Sequence, residues 1–273
     1  RASKTYARAA VVQAEIRARL LERLDLVKLQ PTRTLDLGAA SGQSSRALKD
    51  RYPKSQVFAL GLSIGMVAEA AREQRFLRRF ERIAADAQRL PLRDGAIDLA
   101  LSNLMLAWCN NPDAVFRETA RVLRPDGLFM FTTLGPDTLK ELRTAFRRID
   151  ARTHVHRFVD MHDLGDALMR AGFSEPVMDT ERLTITYKST HALLSELRAT
   201  GSTNATAGRS RGLLGRAHFD AIGRELESQR RDGSIPLSLE VVYGHAWRGA
   251  DRMQERAKPG EFTVPLSSLR RRG

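Results

Sequence analysis

The segment Arg33-Thr34-Leu35-Asp36-Leu37-Gly38-Ala39-Ala40-Ser41-Gly42-Gln43-Ser44-Ser45 reads as an apolar strand, a turn of small residues and the start of a helix. A buried strand would deliver the turn, Gly38 and Gly42 would let the backbone pass close to a ligand, and the helix would aim its free N–H groups at the same place. That is the arrangement of a nucleotide-cofactor cradle. The same small residues also serve plain strand-to-helix packing, so the local pattern leaves both readings open.

Outward from this segment the chain alternates. Strands are expected at 34–37, 56–60, 83–85, 97–102 and 127–133, with helices at 43–51, 66–80 and 112–123 between them. This order specifies an α/β fold with a doubly wound, mostly parallel sheet. Tyr52-Pro53 and Pro125-Asp126-Gly127 mark sharp stops between units. Ligands of such sheets lie outside the carboxyl ends of the strands. That rule brings forward Asp36 to Gly42, Gly61 with Leu62 and Ser63, Asp86 with Ala87, and Asn103 with Leu104.

Before the first strand, Ala9, Val12, Ile16, Leu20, Leu24 and Val27 recur at helical spacing, which predicts one amphipathic helix within 1–30, preceded by Tyr6. It would cover the core or cap the site. Beyond the fifth strand, helices are expected at 136–149, 162–171, 190–199 and 216–231, strands at 181–187 and 239–247, and a Gly/Ser/Thr/Arg-rich loop at 201–215. The two late strands would pair as an antiparallel addition at the sheet edge. The domain plan is thus a helical cap at 1–30, a cofactor half at 31–135, a substrate half with a helical insertion at 136–247, and a charged tail at 248–273. Phe262, Val264 and Leu266 suggest that part of the tail docks.

The 273 residues suffice for one large α/β domain. Lys and Arg number 45 against 32 Asp and Glu, a net charge of +13 that would steer an acidic partner. The basic residues are spread along the chain without an aromatic-interleaved stripe, so nucleic acid is not the expected partner. The single cysteine, Cys109, excludes an internal disulfide and a multi-cysteine zinc site, and is expected to pack in the core. No apolar run reaches membrane-spanning length, and a cytoplasmic location is expected.

The segment Asp86-Ala87-Gln88-Arg89-Leu90-Pro91-Leu92, the turn Val122-Leu123-Arg124-Pro125-Asp126-Gly127-Leu128 and the cradle together resemble class I S-adenosylmethionine-dependent methyltransferases, whose fold is a Rossmann-like seven-stranded sheet. A narrower resemblance, to the malonyl-[acyl-carrier-protein] O-methyltransferases of biotin biosynthesis, runs over nearly the whole chain. It rests on Asn103 to Cys109, on Thr133-Leu134-Gly135-Pro136-Asp137-Thr138-Leu139-Lys140-Glu141-Leu142-Arg143, and on Asp160-Met161-His162-Asp163-Leu164-Gly165-Asp166. It rests also on Gly201-Ser202-Thr203-Asn204-Ala205 with Gly208-Arg209, and on Glu240-Val241-Val242-Tyr243-Gly244-His245-Ala246-Trp247.

The resemblance implies S-adenosylmethionine as cofactor, held by Asp36, Gly38, Ala40, Gly42, Gly61, Leu62, Asp86, Ala87, Asn103 and Leu104, with Asp86 on the adenine amino group. It implies transfer of a methyl group to the free carboxylate of malonyl-acyl carrier protein, an acidic partner. Such a reaction needs positioning and dryness rather than a general base. A cation or hydroxyl should hold the substrate carboxylate, and the candidates are Tyr6 and Arg143, then Arg209. His154, His156, His162 and His245 are expected to be structural.

Two positions depart from the family pattern. Ala40 stands where a glycine is usual, and Gly61 where an acidic residue ends strand two and holds the ribose hydroxyls. Two other readings of the same pattern therefore stand beside the first. One is a cofactor-binding hydroxylase or assembly factor of the complex I type; the other is a non-enzymatic binding protein with a degenerate cofactor site.

Overall fold

The computed structural model describes residues 2–150, 152–205, 209 and 215–249. Gly208 and the tail from 250 onward, with Phe262, Val264 and Leu266, lie outside them.

Strand β1 (Arg33–Leu37) is apolar because it is covered on both faces and paired on both edges, with β2 (Gln56–Gly61) on one side and β4 (Ile97–Asn103) on the other. β3 (Glu81–Ala84) extends the sheet beyond β2, and β5 (Leu123–Leu134) beyond β4, all in parallel. β7 (Ile235–Arg248) enters antiparallel to β5, and β6 (Phe173–Tyr187) closes the edge against it. The order is β3-β2-β1-β4-β5-β7-β6, so the connections change direction between β1 and β4. An open α/β sheet leaves its ligand crevice at that switch point.

Helices cover both faces. On one side α2 (Val11–Arg23) and α3 (Gln43–Arg51) bury Ile16, Leu20 and Leu48 against Leu99, Leu101 and Met130. On the other, α5 (Pro112–Val122) and α7 (Met161–Arg170) pack Phe116, Leu164 and Leu168 on Phe129 and Phe131, whose rings stack 5.1 Å apart. A third apolar cluster lies where β6 and β7 run on together as a long ladder. There α6 (Lys140–Arg147), α8 (Thr190–Ala199) and α9 (Arg216–Glu227) contribute Leu142, Leu193 and Ile222 around Tyr187 and Leu237.

Several elements differ from the sequence expectation for identifiable reasons. The N-terminal helix is two, α1 (Ser3–Ala9) and α2, broken at Ala10, where ψ is 48°. The helix expected at 66–80 ends early: α4 (Ile64–Glu69) tightens into a 3-10 turn at Ala70–Glu73, and Arg75 then bridges to Arg78 across a turn. Arg124-Pro125-Asp126-Gly127 interrupts nothing. It is a bulge within β5, where pairing jumps from Ile97–Leu123 to Leu99–Leu128 and Asp126 takes φ 59°. Helix α6 is shorter than expected because 136–139 forms a loop ending in Leu139 at φ 55°. β6 is twice the expected length; Pro176 hides its start, and it sits at an irregularity where Ser174 and Val177 fall out of register.

Candidate functional site

The loop from β1 to α3 takes positive φ at three residues, Gly38 (87°), Ala40 (44°) and Gly42 (88°). Two of these positions exclude a side chain outright. A Cβ on Gly38 would stand 2.4 Å from Met105, and one on Gly42 would stand 2.8 Å from Ala70. The amides of Gly38 and Ala39 donate to the Leu60 carbonyl at 2.9 and 2.8 Å, which pins the turn to the end of β2. Ala40 holds its left-handed conformation with a Cβ in place, a strain of the order of 1 kcal/mol. Gly42 caps α3 without a side-chain acceptor, so the amides of Gln43 and Ser44 are left uncapped, while the Ser45 amide donates to the Asp36 carboxylate.

Beneath the turn lies Asp36, 1% exposed, its carboxylate accepting the Ser45 hydroxyl. Burial raises its pKa to about 7, opposed by the Ser45 hydrogen bond and the charge of Arg17. Arg17 comes from α2 and donates to Gln43 Oε1 at 2.9 Å. Tyr6 is half-buried nearby; burial raises its phenol, and its charged neighbours are Arg17 and Asp36. The cap is also tied to β4, since Asn103 Nδ2 donates to the Gln13 carbonyl at 3.0 Å while Asn103 Oδ1 accepts from Thr132. Leu104 follows at φ 59°, its amide donating to Thr132.

The outer strand ends complete the same edge. At Gly61 an added Cβ would meet, among the described residues, Val67 Cγ2 alone, at 3.4 Å, so the position is open rather than crowded. Leu62 is 76% exposed, and Ser63 accepts the Met66 amide as the cap of α4. Asp86 is exposed, with one carboxylate oxygen accepting the Gln88 amide at 2.9 Å, and Ala87 is buried beside it. Cys109 is half-buried with its thiol pushed up to about 11 by burial and by the charge of Asp86. The structure thus brings the cofactor residues named from sequence to one sheet edge. Arg17 was missed because it lies on the polar side of an amphipathic helix, where spacing predicts only solvent.

Next to the cradle opens a cavity of about 330 Å³. Gln13 and Ile16 of α2 and Leu104 after β4 line it on the side of the cofactor edge, and the helical layer of the third cluster forms its far wall. Trp108 and His156 meet edge-on in its lining, 5.6 Å between ring centres. Tyr187 donates to Glu196 at 3.0 Å, so that carboxylate is already satisfied. Arg198 borders the cavity with an exposed guanidinium and no ion-pair partner among the described residues. Sequence reasoning passed it over as one more arginine on a helix surface.

Arg143 does not line this cavity. Its guanidinium donates to the carbonyls of Pro136 (3.0 Å), Thr138 (3.1 Å) and His156 (3.4 Å), bracing the β5–α6 loop. Arg209 is exposed. His154 is held by Asp150 and His162 by Asp160.

Buried polar atoms of Gln13 (Oε1), Ser41 (Oγ) and Ser102 (Oγ) have no hydrogen-bond partner among the described residues. Buried groups of this kind call for one. They belong to α2, to the glycine turn and to β4, the three elements that frame the crevice between β1 and β4. The positive-φ turn, the uncapped amides of Gln43 and Ser44 and these orphaned acceptors and hydroxyls fit a bound S-adenosylmethionine.

Residues 35–131 match the methyltransferase domain family. The chain is 49% identical to the malonyl-[acyl-carrier protein] O-methyltransferase of Laribacter hongkongensis, over 97% of this chain and 92% of that protein. It is 48% identical to the protein of the same name from Methylovorus, over 98% and 93%. Among solved structures, the YcgJ protein of Bacillus subtilis superposes with a TM-score of 0.62 at 17% identity, covering 85% of this chain and 98% of that one. A Haemonchus contortus phosphoethanolamine N-methyltransferase in complex with S-adenosyl-L-methionine superposes at 0.52 and 19%, covering 86% and 52%. The fold is that of the class I methyltransferases, the cofactor is S-adenosylmethionine, and the chain belongs to the malonyl-[acyl-carrier protein] O-methyltransferase family.

Proposed function

We propose that this enzyme transfers a methyl group to the free carboxylate of a malonyl thioester carried on acyl carrier protein. The observation that carries the reading is the juxtaposition of cavity and cradle. Leu104, at the end of β4 on the cofactor edge, also lines a mostly apolar cavity, together with Gln13 and Ile16, and at the border of that cavity stands Arg198, a cation without an ion-pair partner among the described residues.

When bound, the cofactor supplies a methyl group on a sulfonium, a good leaving group. The protein's part is to bind, align and keep water out. Arg198 would hold the distal carboxylate by its planar fork. Trp108, Phe158 and Leu142 give the thioester arm an apolar surface. A carboxylate already is a nucleophile, so the engagement of His154 and His162 by acidic neighbours fits chemistry that needs no general base. Esterification removes the negative charge of the malonyl group and gives it the character of an ordinary fatty-acid primer, the use expected in biotin biosynthesis. The relatives' names lend nothing to the hydroxylase or non-enzymatic readings.

With a methyl-labelled cofactor, malonyl-carrier protein should be methylated and acetyl-carrier protein should not. Arg198→Met should raise KM for the malonyl substrate at least tenfold without changing cofactor affinity. Equal labelling of both thioesters would contradict the proposal.

A further inference from the structure

Beside the acyl cavity, and sharing Phe146, His154, Val155 and Phe158 with it, lies a second recess of about 570 Å³. Its lining includes four arginines, Arg143, Arg147, Arg152 and Arg157. Arg143 is spent on backbone carbonyls. The other three are exposed, and none has an ion-pair partner among the described residues. One acidic residue, Asp150, shares the recess, and its carboxylate is already engaged. It accepts from His154 Nε2 at 2.8 and 3.0 Å and from the Arg152 amide at 2.9 Å, and His218 Nε2 stands 3.5 Å away. The like charges feel one another: burial and then the neighbouring Arg147 lower the pKa of Arg143.

An acyl group delivered by a protein must enter the cavity on a tether while its carrier stays outside. The carrier's contact surface is therefore adjacent to the cavity. On the proposed function, on which this step rests, that carrier is acidic. We infer that the Arg147–Arg152–Arg157 recess is the docking surface for the acidic face of the carrier protein. It acts on encounter and orientation, where complementary charge works mainly through association rate and KM and weakens with salt. The apolar strip shared by the two pockets would then lie along the path of the tether. Arg198, on the cavity side, remains assigned to the acyl carboxylate.

The test is the double variant Arg147→Gln/Arg157→Gln, which removes charge from exposed positions. Its KM for malonyl-carrier protein should rise at least tenfold and lose most of its dependence on ionic strength. Its kcat, and its KM for the same malonyl thioester on a free, uncharged pantetheine arm, should stay within twofold of the wild type. A carrier KM within twofold of wild type would overturn the inference, as would an equal loss on both substrates, which would place the arginines in the reaction site or in the fold. Anisotropy titration of fluorescent carrier protein without an acyl group separates this inference from the proposed function. Binding weakened at least tenfold in the double variant supports the docking surface even if the wild type methylates no malonyl group. Unchanged binding sinks it even if methylation proceeds.

Discussion

At Gly61, strand β2 ends in a hydrogen atom where the family pattern has a carboxylate, and the structure shows that the space for one is still there. Among the described residues the only atom near an added Cβ is Val67 Cγ2, at 3.4 Å. Gly61→Asp should therefore restore a contact to the cofactor ribose. A hydrogen bond to a charged group contributes about 1.5–3 kcal/mol, so calorimetry should find cofactor affinity tighter by roughly tenfold or more. Unchanged affinity would mean that the ribose lies elsewhere. Asp36 makes a second case. Burial keeps it protonated up to about pH 7, whereas in the unfolded chain it ionises near pH 4. Between those values the folded state holds a proton the unfolded chain has lost, so stability falls as pH rises. Asp36→Asn retains an acceptor for Ser45 and abolishes that dependence. In urea unfolding of the cofactor-free protein, its stability relative to the wild type should grow by a few kcal/mol between about pH 4 and pH 7.5, at roughly 1.4 kcal/mol per unit; parallel pH profiles would contradict the assignment. Gly38→Ala combines φ 87° with a 2.4 Å contact to Met105 and should destabilise by about 3 kcal/mol or more, read as a lowered urea midpoint.

Among the elements, the β5–α6 loop owes its shape to Arg143. Three carbonyls converge on that guanidinium, a planar arrangement that a methionine or lysine cannot reproduce. Arg143→Met should lower stability by about 1–3 kcal/mol, from carbonyls left without partners, and activity should fall together with the thermal midpoint. Loss of activity at an unchanged midpoint would instead place Arg143 on the substrate. Sequence pattern captured the parallel half of the sheet because its strands are short apolar runs between turn residues. It was weaker for β6, where Asp179, Glu181 and Arg182 fall on solvent-accessible positions and dilute the apolar signal. The bulge at Pro125-Asp126-Gly127 shows the other limit: residues that end a strand and residues that kink one are chemically the same.

For the molecule as a whole, the two pockets and the cradle depend on segments far apart in sequence. Arg17 meets Asp36 and Gln43, Asn103 meets Gln13, and the cavity draws on α2, β5, α8 and β7 at once. Periodicity within a segment cannot reveal such meetings, which is why the cradle was legible from residues 33–45 while Arg17, Arg198 and the arginine recess were not. The charge of +13 has a consequence at this scale. The reaction with an acidic carrier should slow as salt rises from low to physiological strength, mainly through KM, because exposed charges are screened over about 8–10 Å under those conditions. On the proposed function, cradle and cavity together methylate a malonyl carboxylate. Mass spectrometry of malonyl-carrier protein after incubation with methyl-labelled S-adenosylmethionine tests it most directly. One labelled methyl group per carrier is expected, released from the acyl chain by mild ester hydrolysis. Cofactor bound to the enzyme with no label on the acyl group would contradict it.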